Sequence, residues 1–148
     1  MDHSYQAAEL FCNGYSCAQA VAVAFSDVTG LTPEISAKLA SSFGGGMGRM
    51  REVCGAVSGM LLVAGYLYGY GSPDPDAQKA HYALVQDLAG QFREACGSII
   101  CRELLQNPPS DPKPTPRTEE FYKTRPCTHF VVLAAQILDR YIEAHPVA

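Results

Sequence analysis

Apolar residues recur at spacings of three and four along most of the chain, and strict alternation over strand length is nearly absent. That periodicity predicts helices throughout and an all-α fold. A first short helix over Tyr5 to Phe11 groups Ala7, Ala8, Leu10 and Phe11, and Asn13-Gly14 stops it because Gly tolerates the left-handed conformation at a helix end. Ser16 reads as an N-cap for a helix from Cys17 to about Val28, with Ala18, Val21, Ala22 and Phe25 inward. Thr32-Pro33-Glu34 opens the next, which runs through Phe43, since a hydroxyl cap, a first-position Pro and an early acid all suit a helix start.

Gly44-Gly45-Gly46-Met47-Gly48 interrupts the pattern. Each glycine costs about 1 kcal/mol against Ala in a helix interior, so this stretch is a loop. Helical spacing resumes from about Met50 to Tyr68, with Gly55, Ala56, Ser58, Gly59, Ala64 and Gly65 as a small-residue face that suits a homodimer and internal packing equally. Ser72 to Asp76 is a turn and cap before a long amphipathic helix ending near Gly97, with Ala80, Ala83, Leu84, Leu88 and Phe92 buried. Cys101 to Leu105 forms a short helix, and Asn107 to Thr118, with five prolines, is an irregular connection. The last helix spans about Cys127 to Ala144, with Val131, Ala134, Ala135, Leu138 and Ile142 inward. The expectation is one compact helical domain over 1–148, a bundle of about five to seven helices.

A chain of 148 residues can bury a core without disulfides or metal. Its net charge is −4 with no run of Lys or Arg, which excludes a surface built to follow nucleic-acid phosphates. Met1-Asp2-His3-Ser4 lacks a basic segment followed by an apolar one, and Val57 to Tyr70 is too short and Gly-broken to span a bilayer. A soluble cytoplasmic protein is expected. In that reducing compartment, six cysteines are reactive, metal-binding or simply buried rather than a disulfide framework.

Cys17, Cys101 and Cys127 fall at helix starts, where unpaired N–H groups and the helix dipole favour a thiolate. Cys54 is placed about a turn into its helix, with Arg49 and Arg51 near enough in sequence to lower its pKa further. Against this stands the fact that free cysteine is among the most buried residue types. Burial is the simpler reading for Cys12 and Cys96, on helix tails, although Cys96 and Cys101 are close enough in sequence to pair locally. No Cys-x-x-Cys occurs, and the four favoured cysteines lie 37, 47 and 26 residues apart, so zinc-ribbon and thioredoxin-type motifs are absent. Any site is assembled by the tertiary fold.

The glycine loop lacks the Lys-Ser/Thr ending of a P-loop and the strand of a dinucleotide fold. Its backbone N–H groups at Gly45, Gly46 and Gly48, with the Arg49 side chain, are candidate cofactor-binding groups, since glycine lets a cluster or anion approach the backbone. His129 reads as a surface or capping residue, and His81 and His145 as solvent-facing. Arg102 and Glu103, with Arg51 and Glu52, form a charged rim or simply solvated helix charges.

Gly14-Tyr15-Ser16-Cys17-Ala18-Gln19-Ala20-Val21, then Gly44 to Arg49 followed by Cys54-Gly55-Ala56-Val57-Ser58-Gly59, then Cys101-Arg102-Glu103-Leu104 and Cys127, follow one another in order. Over nearly the whole chain this resembles the C-GCAxxG-C-C family of redox-active proteins. The family name spells Gly-Cys-Ala where this chain has Cys54-Gly55-Ala56. The resemblance implies a helical redox protein whose four cysteines are Cys17, Cys54, Cys101 and Cys127. It leaves open whether the chain is an oxidoreductase or an electron carrier, and its redox partner is unknown.

Three chemistries follow from four cysteines meeting beside the loop. All four ligate an iron–sulfur cluster or another metal for electron transfer, a reading favoured because four cysteines are one more pair than exchange requires. Alternatively a pair including Cys54, as nucleophile, carries out thiol–disulfide exchange. In the third, a structural zinc ties the helices together without catalysis. Apart from cluster or zinc, no cofactor is expected.

Overall fold

The computed structural model describes residues 2–147, and they are helical as the spacing predicts. Nine α-helices are found among the described residues: α1 (Ser4–Cys12), α2 (Cys17–Ala24), α3 (Ser26–Thr29), α4 (Pro33–Ala40), α5 (Gly55–Tyr68), α6 (Pro75–Cys96), α7 (Cys101–Leu104), α8 (Glu119–Thr124) and α9 (Cys127–Ala144). The excess over five to seven comes from short pieces. The helix expected to reach Val28 breaks at buried Phe25 and resumes as α3, and α4 stops at Ala40 in a 3-10 turn over Ser41–Phe43. α8 lies just beyond the proline-rich connection, where Thr118 caps it by accepting from the Phe121 N–H.

Local signals start the helices as expected. Ser16 Oγ accepts from the Gln19 N–H at 3.2 Å while Gln19 Oε1 accepts from the Ser16 N–H at 3.1 Å, a reciprocal capping box that satisfies two otherwise orphaned donors. Thr32 and Asp74 cap α4 and α6, each followed by Pro.

α5 begins later than the spacing suggests. Residues before it are extended and pair with a distant segment: Cys101 N–H donates to Glu52 O at 2.6 Å, Cys54 N–H to Ile99 O at 2.7 Å, and Val53 forms an antiparallel bridge with Ile100. Those bonds satisfy backbone groups that a longer helix would have paired internally.

The core gathers α1, α2, α5 and α9, with α6 across one side, around Phe11, Val21, Phe25, Val57, Met60, Leu88, Phe92, Val131 and Leu138. Ala80 and Ala83, expected inside, are exposed because the first half of α6 leaves the core, whereas Leu88 and Phe92 are buried. The small-residue face of α5 is used internally. A Cβ on Gly59 would sit 2.6 Å from Ala18 O, and one on Gly55 3.2 Å from Cys17 Cβ. Those two glycines therefore set how closely α5 approaches α2, and with it how closely Cys54 approaches Cys17. Among the described residues no helix is long and apolar enough to cross a membrane.

One buried polar group went unforeseen. His3 is 4% exposed, stacks on Phe25, and lies between Asp139 at 2.6 Å on Nδ1 and Asp27 at 2.9 Å on Nε2. It ties the start of the chain to α3 and α9.

Candidate redox site

Four sequence-distant segments bring a cysteine to one cavity. Cys17, Cys101 and Cys127 are the first residues of α2, α7 and α9, and Cys54 is the N-cap of α5 rather than a turn inside it. All four line a cavity of about 460 Å³, together with Gly44, Gly45, Gly46, Gly48 and Arg49 of the glycine loop. Cys54, Cys101 and Cys127 are buried, and Cys17 is partly so. Cys12 is exposed, contrary to the burial expected of it, and Cys96 packs against the edge of the core; neither lines the cavity.

The loop has an unusual backbone. Gly45, Gly46, Met47, Gly48 and Arg49 all carry φ between 59° and 73°, and Arg51 follows at 63°. Left-handed conformation costs an L-residue roughly 1–2 kcal/mol, so Met47, Arg49 and Arg51 hold it only because the surroundings fix it. The return bonds from Arg51 N–H to Gly45 O and from Glu52 N–H to Gly46 O close the turn. Gly46 has a second reason to lack a side chain: a Cβ there would lie 2.7 Å from Glu52 N and 2.8 Å from Cys101 Cβ.

That turn sends the arginines away from Cys54. Arg51, 4% exposed, donates from Nε to Pro109 O at 2.8 Å and from Nη1 to Cys101 Sγ at 3.6 Å. Arg49 donates to Asp111 O at 2.6 Å, Asp111 Oδ1 at 3.0 Å and Thr115 Oγ1 at 2.6 Å. Together they hold the proline-rich strap against the cavity. The expectation that these cations activate Cys54 is therefore corrected: burial pushes the Cys54 thiol up to about 12, opposed by the facing N–H groups of Ala56 and Val57. Cys101 is also raised by burial, with Arg51 pulling the other way.

The activated thiol is Cys127. A hydrogen bond from Cys17 lowers it to about 7 against the cost of burial, and Arg125, Arg117 and Arg51 add to the effect. Cys17, as donor in that bond, is held well above its ordinary value. Arg117 and Arg125 carried no signal in the sequence reading. Arg117 donates to Phe11 O at 2.9 Å and Tyr15 O at 3.0 Å, and packs over the Phe11 ring at 4.3 Å. Arg125 stands two residues before Cys127 and touches the Phe121 ring face at 5.3 Å. The cavity wall thus holds four guanidinium groups and, among the described residues, no Asp or Glu. Of the anticipated charged rim Arg51 is in the wall and the rest lies outside it: Arg102 pairs with Glu52 at 3.1 Å and Glu103 accepts from Ser98.

His129 is exposed, as expected. His145 is exposed too and stacks on Tyr141, but His81 is partly buried, with no hydrogen-bond partner on Nδ1.

Residues 15–141 match the family C_GCAxxG_C_C, whose description reads "Putative redox-active protein". The chain belongs to this family. The matched span contains the four cavity cysteines and leaves Cys12 outside it. Comparison with curated proteins gave no match, and comparison with solved structures gave none.

Proposed function

We propose that the chain is a thiol–disulfide redox protein of the cytoplasm, in which Cys127 attacks and Cys17 resolves. The observation that carries this is the placement of Cys17 and Cys127 at the N-termini of α2 and α9 in one cavity wall, each the largest influence on the other's ionisation, with arginines around them. A thiolate is the attacking species, and helix N-termini and cations favour it. The Cys127 thiolate attacks one sulfur of a substrate disulfide and expels a thiolate. Cys17 gives its proton to that leaving group and attacks the Cys127 sulfur, releasing the second sulfur as a thiolate that takes a proton from solvent. Two electrons pass to the substrate, and a Cys17–Cys127 disulfide remains.

The test is limited oxidation of the reduced protein, followed by peptide mapping. A Cys17–Cys127 linkage as the first product is expected. A first disulfide between any other pair would overturn the assignment.

A second reading, an iron–sulfur cluster held by Cys17, Cys54, Cys101 and Cys127, is supported by a different observation. All four line one cavity that is roomy and rich in cationic groups. No three His, Cys, Asp or Glu side chains among the described residues are gathered closely enough to hold one metal ion. That arrangement does not fit a single zinc, whose thiolate ligands converge to about 2.3 Å, but a cluster spreads its ligands over several irons. Iron, acid-labile sulfide and visible absorption in protein purified without oxygen, lost on Cys54→Ser, would establish this reading. Under the dithiol reading Cys54→Ser leaves the Cys17–Cys127 linkage in place.

A further inference from the structure

Three of the four guanidinium groups in the cavity wall are committed to the protein itself. Arg49 and Arg51 hold the strap, and Arg117 bonds Phe11 O and Tyr15 O. Arg125 is different. It lines the cavity, yet its guanidinium has no hydrogen-bond or ion-pair partner among the described residues, only the Phe121 ring on one face. A guanidinium presents five donors in a planar fork that matches a carboxylate bidentately. One that is half-buried, unpartnered and set in a wall without carboxylates is built to meet an anion from outside.

The remaining wall narrows what that anion belongs to. Phe11, Leu104, Leu105, Pro112, Pro114 and Phe130 supply apolar surface, so the occupant carries an apolar body beside its charge. Cys127 is only 8% exposed, which keeps a disulfide fixed on the surface of a folded partner from reaching its sulfur. A cavity of about 460 Å³ admits a small molecule.

We propose that the substrate is a small organic disulfide bearing carboxylate groups, with Arg125 binding a carboxylate while Cys127 attacks the adjacent sulfur. This rests on the dithiol reading above and specifies its substrate. The electron balance is unchanged: the small disulfide is the oxidant, it leaves as two thiols, and the protein leaves as the Cys17–Cys127 disulfide. A second, reducing dithiol is required to return it. Arg125 is thus a substrate-binding residue as well as a neighbour of the thiolate.

The experiment compares three disulfides of similar size on the reduced protein: dithiodipropionate, doubly negative; hydroxyethyl disulfide, neutral; and cystamine, doubly positive. Rates of small-thiol release are divided by those of a short unstructured cysteine peptide, which removes intrinsic differences between the disulfides. The wild type should prefer dithiodipropionate over hydroxyethyl disulfide by about tenfold or more, the effect of one charge-assisted hydrogen bond, and should disfavour cystamine. Arg125→Gln should cut that preference at least about fivefold, whereas Arg125→Lys keeps part of it and Lys123→Gln, outside the cavity wall, changes nothing.

Using the ratio separates binding from reactivity, because loss of Arg125 also weakens the Cys127 thiolate and slows every disulfide alike. Should Arg125→Gln fail to fold, the same preference in the wild type should fall as salt is raised. A wild type indifferent to charge, or a preference untouched by Arg125→Gln, would overturn the anion site alone. No reaction with any of the three disulfides would overturn the dithiol reading beneath it.

Discussion

The Cys17–Cys127 hydrogen bond makes a quantitative prediction. It is the largest influence on Cys127, whose thiol falls from an ordinary 9.0 to about 7. Two pH units correspond to about 3 kcal/mol of preference for the thiolate. Cys17→Ala deletes the donor and leaves the burial of Cys127, which acts in the opposite direction, so its pKa should rise by at least about one unit. At pH 7 the thiolate fraction would fall from about one half to about one tenth, slowing alkylation roughly fivefold or more. Iodoacetamide labelling of the native protein from pH 5 to 10, with Cys127 read by peptide mass spectrometry, measures the midpoint directly. Cys17→Ser, which keeps a hydroxyl donor, should lie between wild type and Cys17→Ala. If the midpoint stays near 7 in Cys17→Ala, the hydrogen bond is not the cause and the arginines alone hold the thiolate. A wild-type midpoint near 9 would refute the reasoning altogether.

Gly46→Ala should destabilise by about 2–4 kcal/mol, because its Cβ meets backbone at 2.7 Å and a positive φ is imposed as well; chemical denaturation measures it. His3→Ala leaves the Asp27 and Asp139 carboxylates facing an emptied position and should lower stability by about 2 kcal/mol; a midpoint matching wild type would show the bridge to be idle. Arg49→Ala frees Asp111 and Thr115, so cleavage within 107–118 by a non-specific protease should accelerate while α9 stays uncut.

The elements were legible wherever local chemistry fixes them. Ser16, Thr32-Pro33 and Pro126-Cys127 each start a helix where the sequence places it, because a cap or a fixed proline φ acts on its immediate neighbours. Met50 to Cys54 was misread for the opposite reason. Its backbone partners are Ile99 to Arg102, some fifty residues away, and nothing in its apolar spacing encodes that pairing. The same holds at the site. Four cysteines could be singled out one at a time, but which of them meets an arginine depends on the left-handed turn at 45–49, whose non-glycine members Met47 and Arg49 give no local warning of their φ. Arg117 and Arg125 escaped notice because an arginine near a proline-rich segment looks solvated until the strap is seen to return to the cavity. His3 escaped for a similar reason, its carboxylate partners lying 24 and 136 residues away.

The arginines around Cys127 also set the direction in which the oxidised protein is reopened. In disulfide exchange the sulfur that leaves faster is the one whose thiol has the lower pKa. Cys17 in a disulfide no longer donates to Cys127, but Arg125, Arg117 and Arg51 still stabilise a Cys127 thiolate, so an incoming reducing thiolate should attack Cys17 and expel the Cys127 thiolate. Accessibility points the same way, since Cys17 is only partly buried whereas Cys127 is buried. The two cysteines therefore exchange duties over a cycle: Cys127 meets the oxidising disulfide, and Cys17 meets the reductant. Acid-quenching the oxidised protein milliseconds to seconds after mixing with a small thiol, then mapping the mixed disulfide, should find the adduct on Cys17. An adduct found mainly on Cys127 would refute both arguments at once: neither the arginines beside the Cys127 thiolate nor the greater exposure of Cys17 would then govern the reopening.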